Sequence, residues 1–130
     1  KISHFTNLEE LNCAYSCGIS DNAIKWFIKL KKLNACDNSK GNNIHHLVNL
    51  EELNCGCGVS DDNINGLIKL KKLSVNNNRK IKNINHLVNL EELNCGLNCS
   101  VYDDNLKGLV KLKKLNAFNN SKITTLERCV

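Results

Sequence analysis

The residues best equipped for chemistry are eight cysteines and four histidines in a chain of 130 residues. Three pairs of cysteines lie close together: Cys13 and Cys17, Cys55 and Cys57, Cys95 and Cys99. Each pair offers two thiolates, short of the tetrahedral set that structural zinc takes from ligands at recurrent spacings. His4, His45, His46 and His86 do not follow the cysteines at such a spacing. No metal and no cofactor is therefore expected. There is no Gly-rich phosphate loop and no nucleophile set beside a base and an acid, so no catalytic residue is assigned and the chain reads as a non-enzyme. Asn98-Cys-Ser100 and Asn119-Asn-Ser121 match the N-glycosylation acceptor pattern, which an Asn-rich chain produces easily by chance.

What must position these residues is a repeat. Leu8, Leu30, Leu50, Leu70, Leu90 and Leu112 recur at spacings of 22, 20, 20, 20 and 22 residues. Each opens the same phrase, as in Leu8-Glu-Glu-Leu11-Asn12-Cys13, Leu30-Lys-Lys-Leu33-Asn34-Ala35 and Leu70-Lys-Lys-Leu73-Ser74-Val75. Odd copies carry Glu-Glu and even copies Lys-Lys. Odd copies continue through Cys17-Gly-Ile19-Ser-Asp21 and Cys57-Gly-Val59-Ser-Asp61, even copies through Asn78-Arg-Lys80 and Asn120-Ser-Lys122.

This phrase resembles the leucine-rich-repeat motif L-x-x-L-x-L-x-x-N/C-x-L, over essentially the whole chain. Small Cys, Ala or Val replaces the second strand leucine. Odd copies resemble the cysteine-containing subclass, even copies the shorter Asn type. The resemblance implies an α/β leucine-rich-repeat solenoid: a curved right-handed superhelix with a parallel concave β-sheet and short helices or 3-10 turns on the convex side. It further implies a loop ladder of Cys17, Asn38, Cys57, Asn78, Cys99 and Asn120 that redirects the backbone, a structural role. In its Asn, Lys and Ile bias the chain also resembles repeat proteins of large DNA viruses of amoebae.

The periodicities agree. Leu-x-Cys and Leu-x-Ala place two apolar residues on one side of a short strand, and Asn12, Asn34, Asn54, Ser74, Asn94 and Asn116 on the other. In the odd copies Asp21 or Ser20 caps about two turns of helix with Ile24, Phe27 and Ile28 as its apolar face. Asp61 or Asp62 precedes Ile64, Leu67 and Ile68 in the same way, and Asp103 or Asp104 precedes Leu106, Leu109 and Val110. In the even copies Ile81, Ile84, Leu87 and Leu90 recur every third position, which suits 3-10 or irregular coil. The reading is one domain, 1–130, of about six repeats cut mid-repeat at both ends. Ile2, Phe5 and Leu8 match Ile84, Leu87 and Leu90, and no polar capping repeat is visible. Either the ends pack on something, including further repeats of the same or a longer chain, or the natural protein is longer.

The repeat places the cysteines. Cys13, Cys55 and Cys95 share a column with Ala35, Val75 and Ala117, where Cys acts as a small hydrophobe. Like columns recur every second repeat, roughly 9–10 Å apart, too far for a disulfide. Cys13 and Cys17 within one repeat are close enough to pair. A reduced, intracellular and cytoplasmic protein is the simpler expectation.

Charge narrows the function. Net charge is +5 with a pI near 8.8, below the usual footprint of a nucleic-acid-binding domain, and no apolar run is long enough to span a membrane. Glu10, Lys32, Glu52, Lys72, Glu92 and Lys114 form one alternating column; Asp21, Lys40, Asp61, Lys80, Asp103 and Lys122 form another. These columns serve either as a mixed-charge docking surface or as a device that sets repeat register. Aromatic content of 5% leaves few large side chains for a compact core, whereas stacked repeats present extended binding surfaces. A protein–protein interaction module is the expected function; a structural or self-assembling repeat protein is the alternative. The concave residues that break the repeat, Tyr15, Cys36, Asp37, Leu97 and Phe118, are the expected partner contacts. Trp26, where Gly66 and Gly108 stand in other odd copies, serves either docking or packing against a preceding repeat.

Overall fold

The computed structural model describes residues 5–15, 18–36, 43–55 and 58–124. Six three-residue strands form a parallel sheet in chain order: β1 (Glu10–Asn12), β2 (Lys32–Asn34), β3 (Glu52–Asn54), β4 (Lys72–Ser74), β5 (Glu92–Asn94) and β6 (Lys114–Asn116). The register aligns equivalent residues, Leu11 with Leu33 and Leu33 with Leu53, and so on to Leu115. A slip by one residue would turn every leucine out of the core. The ladder continues past the strands, where Cys13 N–H donates to the Asn34 carbonyl and Cys95 N–H to that of Asn116, both at 2.8 Å.

The central strand leucines point into one continuous core with Cys13, Ala35, Cys55, Val75 and Cys95. Behind the sheet, buried residues recur every third position in both repeat types: Ile24, Phe27 and Leu30; Ile44, Leu47 and Leu50; Ile64, Leu67 and Leu70; Ile84, Leu87 and Leu90. Each step is an i to i+3 turn, such as Leu30 N–H to the Phe27 carbonyl at 3.0 Å and Leu50 N–H to the Leu47 carbonyl at 3.1 Å.

Among the described residues helices occur only in the odd copies, as expected, but they are shorter. Helices α1 (Asp21–Ile24) and α2 (Asp61–Ile64) are single turns, and Asp103–Leu106 is 3-10. The expected apolar faces lose their last member, since Ile28, Ile68 and Val110 are exposed. The hydrogen bonds explain the exposure. After Ile24 and Ile64 the chain closes i to i+3 turns, Phe27 N–H to the Ile24 carbonyl and Leu67 N–H to the Ile64 carbonyl at 3.0 Å, then Leu30 to Phe27 and Leu70 to Leu67. Burial therefore falls on every third residue, and Ile28 and Ile68 turn outward.

The loop charges also differ from expectation. Among the described residues the aspartates do not pair with the lysines of the next loop. Asp61 Oδ1 accepts from Lys82 and Asn83 N–H at 3.0 and 2.9 Å, Asp21 Oδ1 from Asn43 N–H at 2.9 Å, and Asp103 Oδ1 from Thr124 N–H at 2.8 Å. Each odd copy thus clamps the backbone of the even copy that follows it. A fixed carboxylate satisfies amides that no strand or helix engages.

Candidate functional site: the sheet face and its rim

The outward residues of the six strands line a groove of about 750 Å³ with Glu10, Lys32, Glu52, Lys72, Glu92 and Lys114 along one side and the Asn/Ser column along the other. Four of the six charges are paired: Lys32 Nζ lies 3.5 Å from Glu52 and Lys72 Nζ 3.4 Å from Glu92, while Glu10 and Lys114 form no ion pair among the described residues. The asparagines are half committed. Asn34 Oδ1 accepts from Cys36 N–H at 3.1 Å, Asn12 Oδ1 from Ala14 N–H at 3.1 Å and Asn116 Oδ1 from Phe118 N–H at 3.0 Å. These Asx turns bend the chain at the ends of β1, β2 and β6. They leave the Nδ2 donors of Asn12, Asn34 and Asn116 without a partner among the described residues.

Tyr15, Cys36, Leu97 and Phe118 do not line this groove. They lie past the strand ends, on the loops that form its rim, because the Asx turns lift the backbone off the sheet just before them. Asp37 lies outside the described residues. Cys36, expected among the concave partner contacts, is half-buried and lies outside the groove lining. Tyr15 and Phe118 are 77% and 68% exposed, Leu97 37%. Leu97 N–H donates to the Phe118 carbonyl at 2.8 Å, and Tyr15 N–H to that of Cys36 at 2.8 Å. An alanine Cβ at Gly96 would sit 2.5 Å from the Phe118 carbonyl oxygen, so glycine is what lets the Leu97 and Phe118 loops approach.

Spacing alone did not reveal the conformation of this rim. Tyr15, Asn77, Leu97 and Asn119 occupy equivalent positions, and all have left-handed backbone, with φ of 57, 60, 48 and 59°. Asn tolerates that region; a tyrosine or leucine pays steric strain there. Two large apolar side chains therefore sit, exposed, where the local geometry favours Asn.

The ladder residues are interior. Asn78 is fully buried, its Nδ2 donating to the Val59 carbonyl at 2.8 Å and its Oδ1 accepting from Lys80 and Ile81 N–H at 2.8 and 2.9 Å. Asn120 donates to the Cys95 and Val101 carbonyls at 2.7 and 2.9 Å and accepts from Lys122 N–H at 3.0 Å. Cys17, Asn38 and Cys57 lie outside the described residues.

Among the described residues Cys55, Cys95 and Cys99 are free thiols. Burial pushes the Cys55 thiol well above its ordinary range. Cys95 and Cys99 titrate together. The hydrogen bond from the Cys95 thiol lowers Cys99 to about 7 against opposing burial, helped by the Val101 backbone and Lys122. The same bond, then burial, raises Cys95. Both sulfurs are buried, which keeps this acidity from becoming an exposed nucleophile. Among the described residues no group of three or more His, Cys, Asp or Glu gathers to hold a metal, and no helix is long and apolar enough to cross a membrane.

No family model and no curated protein matches the chain. Solved structures do. Internalin C2 of Listeria monocytogenes aligns with a TM-score of 0.70 and 26% identity over 89% of this chain and 54% of its own. An internalin (inlF) of the same bacterium aligns with a TM-score of 0.57 and 21% identity over 72% of this chain and 29% of its own. The chain thus spans about half of one and under a third of the other. Internalins are leucine-rich-repeat proteins, and the six-stranded parallel sheet with its few short helices fits a leucine-rich-repeat solenoid. Both relatives are bacterial, and neither bears on the viral style of the sequence.

Proposed function

We propose that the chain is a protein-binding module that engages its partner along the rim of the sheet face, through Tyr15, Leu97 and Phe118. The observation that carries this reading is the left-handed backbone of Tyr15 and Leu97. Strain held in a side chain that is itself exposed serves packing poorly, and such strain clusters where recognition occurs. The groove beside the rim adds Asn amide donors and paired charges. Because most of the charges already have neighbours, a partner gains little by competing for them, whereas the rim side chains gain by leaving water, at about 25 cal/mol per Å².

In this reading residues 1–130 are one leucine-rich-repeat domain of about six repeats, curved with a right-handed sense, the sheet face being the concave one. The thiols suit a reducing, intracellular setting. The first experiment is to identify a partner by pull-down and measure its affinity for Tyr15→Ala, Leu97→Ala and Phe118→Ala. Each should weaken binding several-fold. Unchanged affinity in all three, with binding abolished by Lys72→Ala or Glu52→Ala, would transfer the site to the groove. Filaments that grow with concentration in light scattering, without a partner, would favour the self-assembly alternative.

A further inference from the structure

The turns that end at each repeat's anchor leucine form a second ladder, on a different surface from the rim. The turns Phe27 to Leu30, Leu47 to Leu50, Leu67 to Leu70, Leu87 to Leu90 and Leu109 to Leu112 are each closed by an i to i+3 hydrogen bond of 3.0–3.2 Å. Each therefore projects its two middle residues outward. The first of the two is β-branched and apolar in these five, Ile28, Val48, Ile68, Val88 and Val110, between 47% and 86% exposed; in the equivalent turn from Phe5 to Leu8, closed at 3.1 Å, it is the polar Thr6. Turn corners ordinarily carry Gly, Pro, Asn, Asp or Ser, so neither turn geometry nor core packing calls for this choice. The second residue alternates Lys29, Asn49, Lys69, Asn89, Lys111.

These second residues fasten the ladder. Asn49 and Asn89 Nδ2 donate to the Ile28 and Ile68 carbonyls at 3.2 and 3.0 Å. Their Oδ1 atoms accept from Lys69 and Lys111 Nζ, both at 3.0 Å, as Asn7 accepts from Lys29 at 2.8 Å. The three ammonium groups are thus held by neutral amides. Glu51 and Glu91 share the surface with Lys69 and Lys111 but form their ion pairs with Lys71 and Lys113. The result is a file of apolar side chains beside a row of lysines that form no ion pair among the described residues.

We propose that this turn ladder docks an amphipathic α-helix of a partner protein, with an apolar stripe against the β-branched file and a carboxylate every second turn against Lys29, Lys69 and Lys111. Spacing supports a helix. Repeats advance by ~4.8 Å and helical turns by ~5.4 Å, so lysines on alternate repeats face alternate turns. Charge argues against a second copy, which would bring its own lysines to the same file. Width argues against an anionic membrane: the file is a single residue wide.

The probe is a fluorescent synthetic helix of about 21 residues, or six turns, with Leu along one stripe and Glu every seventh residue. We expect saturable binding that weakens with salt. The double change Ile68→Ser with Val88→Ser should weaken it about tenfold, as should Lys69→Glu alone, and a peptide with Gln for Glu should bind weakly and without salt dependence. These residues are exposed, and circular dichroism checks the fold; Lys69→Glu and the Gln peptide decide the matter should the double variant not fold. Absence of saturable binding overturns the proposal. So does affinity that ignores the ladder substitutions, self-association that needs the ladder, or co-sedimentation with phosphatidylserine vesicles in place of peptide binding. Tyr15→Ala, Leu97→Ala and Phe118→Ala should leave peptide affinity unchanged, which separates this surface from the rim.

Discussion

Lys71 and Lys72 are adjacent in the chain and bind in opposite directions: Lys71 Nζ lies 3.9 Å from Glu51 on the preceding strand's side, Lys72 Nζ 3.4 Å from Glu92 on the following one. The pattern extends through the stack. The first charged column joins Lys31 to Glu9, Lys71 to Glu51 and Lys113 to Glu91; the second joins Lys32 to Glu52 and Lys72 to Glu92. Each junction between neighbouring strands thus receives one of these pairs. Lys72→Glu would line up three carboxylates on β3, β4 and β5. These side chains are largely exposed, so the loss of stability should be modest, about 0.5–1 kcal/mol, and should shrink at high salt. Urea titrations at low and high ionic strength check both features; a loss of stability indifferent to salt would show that the pairs do not act electrostatically.

Leu97→Asn should stabilise the fold by about 1 kcal/mol, because Leu97 stands at a φ of 48° that its equivalents Asn77 and Asn119 adopt with less strain. The same change removes an apolar rim contact and should weaken partner binding. Thermal melting and affinity should therefore move in opposite directions. Destabilisation would mean that Leu97 packing outweighs its backbone strain.

Asn120→Ala should cost roughly 2–3 kcal/mol. It would strip the buried Cys95 and Val101 carbonyls of a donor and the Lys122 amide of an acceptor, and unsatisfied buried groups bear their full desolvation penalty. Asn77→Ala, at an exposed loop position, is the comparison. Equal midpoints in urea for the two variants would contradict the ladder's structural role.

The fold should weaken in alkali in part through Cys55. Burial raises its folded pKa above the ordinary 9.0, so the folded chain keeps the proton that the unfolded chain releases. The stabilising contribution is complete below pH 9 and declines as pH rises above it. Cys55→Ala, which copies Ala35 of the preceding repeat, should flatten the stability profile between about pH 8.5 and 10.5. Parallel profiles for the two proteins would assign the alkaline loss to other groups.

Much of the fold was legible before any coordinates. Leu11, Leu33 and Leu53 hold the same place in the repeated phrase, which implies equal environments, and the sheet register pairs those residues. The column of Cys13, Ala35 and Cys55 is buried for the same reason. The candidate site was legible only in part. Tyr15, Leu97 and Phe118 stand out as breaks in the repeat, but a break in sequence does not say which surface it occupies, and the Asx turns place all three on the rim.

The sequence by itself determined which residues share a column, because a strict repeat forces equivalent residues into equivalent surroundings. Tertiary structure decided what each column does. It alone set Asp61 on backbone amides instead of on Lys80, turned Ile28 and Ile68 to solvent, and gave Tyr15 and Leu97 a left-handed backbone. The reason is physical: periodicity fixes spacing along the stack, whereas the direction of a side chain depends on how a one-turn helix and successive tight turns fit behind strands ~4.8 Å apart.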